Sequence, residues 1–114
     1  MAQRKVSPVP AAADALAVLG AQIRERRHAR RWTAEELAAR VGVSPKTILA
    51  VEAGYPGTAA GTVMNAAVMV GVPLFGAQSR DELAQLARTH EDRVALLPTR
   101  TYHLRSEDDD DTNF

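Results

Sequence analysis

The chain has 114 residues, 46% hydrophobic but only 4% aromatic, with no cysteine and a formal net charge of zero. That length holds one domain of about 100 residues with tails, and the missing cysteines exclude a disulfide scaffold and every thiolate metal site. No apolar run approaches the roughly 18 residues that span a bilayer, and Met1–Pro10 lacks the apolar core of a secretory signal, so a cytoplasmic protein is expected.

The first predicted helix runs from about Ala12 to Arg30, because Leu16, Leu19 and Ile23 recur at three- and four-residue steps on one face. Asp14 near its start and Arg26, Arg27, Arg30 and Arg31 at its end suit the helix dipole. Ahead of it, Ser7-Pro8-Val9-Pro10 cannot propagate a helix, so residues 1–11 are expected to form a flexible arm carrying Arg4 and Lys5. Thr33-Ala34-Glu35-Glu36 spells a capping box, with Trp32 and Leu37 placed for a hydrophobic staple, and it opens a second helix from Ala34 to about Val41. Gly42 stops that helix. Ser44-Pro45 starts a third, since serine caps and proline suits the first helical position, and it runs to about Ala53 before Gly54.

Thr58 or Gly61 begins a fourth helix carrying Val63, Met64, Ala67, Val68 and Val70, closed by Gly71 and Pro73. Ser79-Arg80-Asp81-Glu82 offers a second capping box for a fifth helix with Leu83, Leu86 and Ala87, reaching as far as Leu97 before Pro98. Thr101-Tyr102-His103-Leu104 has weak strand propensity, and Glu107 to Asp111 is an acidic run expected to stay solvated. The expected organisation is an arm over 1–11, a helical domain over 12–78, a C-terminal dimerisation segment over 79–105 and an acidic tail over 106–114. A homodimer is expected because Leu83, Leu86, Leu96 and Leu97 exceed what five short helices need internally, with Met64, Val68 and Met69 adding apolar surface.

Residues 34–53 carry the most information. Two helices crossing at a near right angle need a small residue where their backbones approach, which Ala38 supplies, and a glycine at the turn, which is Gly42. Leu37, Val41, Val43, Ile48 and Val51 fall where such a helix-turn-helix unit faces its core. The competing reading is a helical hairpin inside an unrelated bundle.

Over roughly residues 15–75 the chain resembles the Xre/Cro family of lambdoid-repressor-like regulators, through the run Thr33-Ala34-Glu35-Glu36-Leu37-Ala38-Ala39-Arg40-Val41-Gly42-Val43-Ser44-Pro45-Lys46-Thr47-Ile48-Leu49-Ala50-Val51-Glu52-Ala53-Gly54. The resemblance implies an all-α, lambda-repressor-like fold of five helices whose third helix enters the DNA major groove. By position it implies that Pro45, Lys46, Leu49 and Ala50 face the groove and that Thr33, Ala34, Ser44 and Thr47 lie near phosphates. It also pairs Arg27 with Glu52 as a buried ion pair, against the alternative that both side chains reach water. Ala34 departs from the many relatives that carry a phosphate-bonding glutamine there. Lys46 is the single charged donor of the groove-facing set, able to reach guanine O6 and N7, while Leu49 or Ala50 can touch a thymine methyl. Direct readout from one half-site is therefore expected to be thin, leaving specificity to dimer symmetry, DNA shape or the Arg4-Lys5 arm in a minor groove.

The stretch from Glu52 through Gly54, Pro56, Gly57, Gly61 and Thr62 is similar to one in regulators encoded beside HipA-like serine/threonine kinases, and so are a leucine-proline ahead of a basic segment and an acidic tail ending in Phe114. This narrower resemblance implies a HipB-like antitoxin that represses its own operon from a palindromic operator and binds a HipA-like toxin kinase. The alternatives are a stand-alone or phage-type regulator with no toxin partner and a module that binds protein alone. Charge bears on the choice: residues 1–54 hold nine Lys/Arg against five Asp/Glu, and residues 55–114 hold five against nine, so a basic half and an acidic half point to two kinds of partner. His28, His90 and His103 share no metal-ligand spacing, Glu35-Glu36 is explained by capping, and no phosphate-binding glycine loop follows a strand. No enzyme activity, metal or cofactor is expected.

Overall fold

The computed structural model describes residues 7–100. These residues form five helices and no strand, an all-α arrangement: α1 (Pro10–Ala29), α2 (Ala34–Val41), α3 (Pro45–Glu52), α4 (Ala60–Val70) and α5 (Arg80–Ala95). They belong to two compact units, one ending at Leu74 and one starting at Phe75. The Arg4-Lys5 arm, the segment Thr101–Leu104 and the acidic tail with Phe114 lie outside the described residues.

In the first unit, α1 starts two residues ahead of the sequence expectation because Pro10 occupies its first turn, where a missing N–H costs nothing. Asp14 consequently lies beyond that turn, which contains no acidic residue, and its expected dipole contact is lost. The capping box of α2 forms in full: Glu36 N–H donates to Thr33 Oγ1 at 3.0 Å, and Thr33 N–H donates to Glu36 Oε1 at 2.9 Å. Donation from the Thr33 backbone N–H, and after it from the Thr33 hydroxyl, holds the exposed Glu36 carboxyl below its ordinary pKa. Gly42 ends α2 in the left-handed region at φ 87°, a conformation that costs other residues steric strain. Ser44 Oγ accepts from Thr47 N–H at 3.2 Å and caps α3. Neither Thr58 nor Gly61 caps α4; Ala59 precedes it without a side-chain cap, and the Thr58 hydroxyl instead donates to Tyr55 O at 3.0 Å.

The core of this unit joins Ile23 of α1, Leu37 and Ala38 of α2, Ile48 and Val51 of α3, and Val63, Ala66, Ala67 and Val70 of α4. Trp32, Val41 and Val43 pack against it while only partly buried. Burial along α1 deepens from Leu16, which is half-buried, to Ile23, which is fully enclosed. The reason lies at Gly20, where α1 crosses the end of α3: a Cβ there would sit 2.6 Å from both the Val51 and Glu52 carbonyl oxygens. The next contact along is Gly54, at φ 74°, whose Cβ would meet the Ala17 backbone at 3.1 Å. Two helices thus touch backbone to backbone along the stretch that ends α3.

In the second unit, Ser79 Oγ accepts from Glu82 N–H at 3.1 Å and starts α5. The Glu82 carboxylate bonds Gln78 N–H rather than Ser79 N–H, so the reciprocal half of the expected box is shifted by one residue. No residue of α5 is fully buried.

Gly20 gives a sign test of this packing. Helix propensity alone favours Gly20→Ala by about 1 kcal/mol, whereas a methyl driven into two fixed carbonyl oxygens should reverse that and destabilise by about 1–3 kcal/mol. Urea denaturation of the variant decides between them, and a stabilised Gly20→Ala would refute the backbone contact.

Candidate nucleic-acid interface

The α2–α3 pair meets at Ala38, which is buried, and turns at Gly42. With the inner faces of both helices in the core, α3 presents Pro45, Lys46 and Leu49 outward, Leu49 with 54% of its surface open. Ala50 is half-buried beside them. At the start of α3, Ser44 is exposed and Thr47 half-buried, their hydroxyl oxygens 3.0 Å apart. One of these hydroxyls donates to the other, which leaves the second O–H outside that bond. At the start of α2, Thr33 is exposed and Ala34 is half-buried against the core, where it has no group to offer a ligand. The structure therefore gathers Thr33, Ser44, Pro45, Lys46, Thr47, Leu49 and Ala50 onto the two helix starts and the outer side of α3.

What sets the angle of α3 is the buried pair behind it. Arg27 Nε donates to Glu52 Oε2 at 2.6 Å and Nη2 to Oε1 at 2.9 Å, a two-pronged contact between side chains only 8% and 3% exposed. The remaining prong, Nη1, donates to Trp32 O at 2.9 Å. The hydrogen bonds that Arg27 donates to Glu52 raise the Arg27 pKa above its ordinary value, so the guanidinium stays charged. Glu52 closes α3, where a carboxylate is repelled by the negative end of the helix dipole, and Arg27 answers that repulsion directly. One side chain of α1 thereby fixes the end of α3 and the segment leading into α2.

Several cations of the basic N-terminal half hold the fold. Arg26 Nη1 donates to Gly71 O at 2.8 Å and Arg30 Nε to Val70 O at 3.1 Å, closing the C-terminal end of α4. Arg40 lies 4.1 Å and Arg30 5.3 Å from the Trp32 ring centre, positions that favour cation–π attraction. The sequence hides the two contacts on α4 because their partners lie far along the chain. Arg31, unremarked as a site in the sequence, stands out at φ 60°. His28 and His90 are exposed, and no group of three His, Asp or Glu among the described residues could hold a metal ion.

The second unit carries apolar surface of its own. Phe75, Leu83, Leu86, Ala87 and His90 line a groove of about 420 Å³. Phe75, Val94, Leu96 and Leu97 are all more than half exposed. No helix among the described residues is long and apolar enough to cross a membrane.

A family model described as a helix-turn-helix domain matches residues 18–97, most of the chain. No curated protein and no solved structure matches it.

The buried pair makes a double-mutant test. Arg27→Met alone strands a buried carboxylate and should cost about 3–5 kcal/mol. Adding Glu52→Leu should recover a large part of that loss, because neither charge then lacks a partner. Two single losses that simply add, measured by chemical denaturation, would mean that the side chains do not interact.

Proposed function

The chain belongs to the helix-turn-helix domain family, and from that premise we propose that it is a DNA-binding transcriptional repressor acting as a homodimer on a palindromic operator. The observation that carries the reading is the outer side of α3, whose exposed Lys46 and Leu49 stand beside two capped helix starts. In this reading Lys46 reaches guanine or phosphate, Leu49 and Ala50 meet thymine methyls, and Pro45 lies against the groove wall. Thr33 and the one O–H left by the Ser44–Thr47 pair are offered to the phosphates, helped by the positive ends of α2 and α3. Ala34 contributes only proximity. A hydroxyl-and-dipole contact of this kind positions the protein without reading bases, so the operator is recognised mainly through half-site spacing and DNA shape.

The homodimer rests on α5. Leu83, Leu86 and Val94 lie along α5 and Leu97 follows two residues after its end, and a second copy of the same surface is the partner that needs no further chemistry. A two-fold dimer of helix-turn-helix units would set its recognition helices about 34–36 Å apart, one turn of DNA. The finer reading is an antitoxin bound to a HipA-like serine/threonine kinase. It is supported by the stretch from Glu52 to Thr62 and by the acidic balance of residues 55–114, which DNA would repel. A stand-alone regulator is the outcome if the native protein co-purifies with no kinase.

Two experiments test these assignments. Lys46→Ala should weaken operator binding in a gel shift; a phosphate contact lowers affinity for all duplexes alike and cuts the salt slope by about one, whereas a guanine contact loses about 1–3 kcal/mol of discrimination at one position. Unchanged binding to operator and random duplex removes Lys46 from the interface. Light scattering at micromolar concentration should report a dimer, and Leu86→Glu with Leu97→Glu should dissociate it without unfolding α1–α4. A wild-type monomer contradicts the dimer.

A further inference from the structure

We propose that Arg31 contacts a DNA phosphate and is kept, for that charge, at a backbone position where glycine would fold better. The inference rests on the DNA-binding reading above. At the end of α1, Trp32 N–H donates to Arg27 O at 3.1 Å and Arg31 N–H to His28 O at 2.9 Å. The end of α3 has the same pattern, with Tyr55 N–H on Ala50 O and Gly54 N–H on Val51 O, both at 3.0 Å. This arrangement needs a left-handed residue just past the helix. Gly54 supplies it after α3, and Gly42 and Gly71 are the left-handed stops of α2 and α4. After α1 the residue is Arg31, at φ 60°, where a side chain meets its own carbonyl unfavourably.

Among the described residues, no contact accounts for the arginine. Arg31 is exposed, and among the described residues its side chain has no ion pair. Its neighbours are engaged: Arg26 and Arg30 close α4, and Arg27 holds Glu52. Arg31 directly precedes Trp32-Thr33, so its backbone lies just ahead of the first turn of α2, the turn that the proposed function lays on the phosphate backbone. Strain retained at an exposed position points to a role outside folding. A cation next to hydroxyl and N–H donors has one natural anionic partner there, the phosphate already in place.

The test compares wild type, Arg31→Gly and Arg31→Lys, with Lys46→Ala as reference. Thermal melting is followed for each, together with fluorescence anisotropy of an upstream operator duplex and a random duplex over a range of salt. Arg31→Gly should melt higher, by about 4–8 °C for a domain of this size. It should nonetheless bind both duplexes more weakly by the same factor, with a salt slope smaller by about one. Arg31→Lys should keep the slope. If Arg31→Gly binds with unchanged affinity and slope while wild type binds DNA, Arg31 is not a phosphate contact and the DNA-binding reading survives alone. If Arg31→Gly melts no higher than wild type, the arginine is not held against a backbone cost and the proposal fails. A wild-type protein that binds neither duplex overturns both.

Discussion

The Arg27–Glu52 pair is the contact on which the arrangement of the first unit turns. A guanidinium and a carboxylate leave water only when every donor and acceptor finds a partner, and here two prongs meet Glu52 while a third meets the Trp32 carbonyl. Those three bonds tie the end of α1 to the end of α3 and to the residues entering α2. A second constraint acts two turns earlier, at Gly20, where the missing side chain lets α1 lie on the carbonyls of Val51 and Glu52. The charge pair supplies direction and the glycine supplies closeness. Together they fix the angle at which α3 turns its other side outward.

Features governed by neighbours in the chain are legible without a structure. The Thr33–Glu36 box, the Ser44-Pro45 start and the left-handed Gly42 depend on residues within four positions, and each forms as its spacing implies. The five helices follow for the same reason. Asp14 fails because a proline two residues before the expected start took the first turn, and Glu82 fails because its carboxylate found Gln78 N–H one residue ahead of the cap. Both errors are register errors of one or two residues, the scale at which helix ends are least determined.

Long-range geometry is the part that periodicity does not encode. Gly20 sits mid-helix, where a sequence marks only a weak helix former, and its meaning appears once α3 lies against it. Arg26 and Arg30 look like free cations at a helix end until the carbonyls of Gly71 and Val70 come within reach, about forty residues later. Arg27 differs because it continues the apolar stripe of Leu16, Leu19 and Ile23, which marks it as a charge forced inward. The resemblance then named its partner. For the candidate interface, the residue positions on α2 and α3 could be placed from the sequence, but the exposure that separates Lys46 and Leu49 from the half-buried Ala34 and Thr47 needed the packed core.

These constraints bear on function through what they leave free. With Arg26, Arg27 and Arg30 bound into the fold, the outer side of α3 and the start of α2 keep few cations, and DNA binding there has to be modest in charge. The most direct measurement is to map backbone amide shifts of the full chain by NMR as an upstream duplex is added. The account predicts shifts concentrated at 31–36 and 44–50, with the groove residues Leu83, Leu86 and His90 of α5 unaffected. Shifts confined to α5, or spread evenly with none at Lys46, would contradict it.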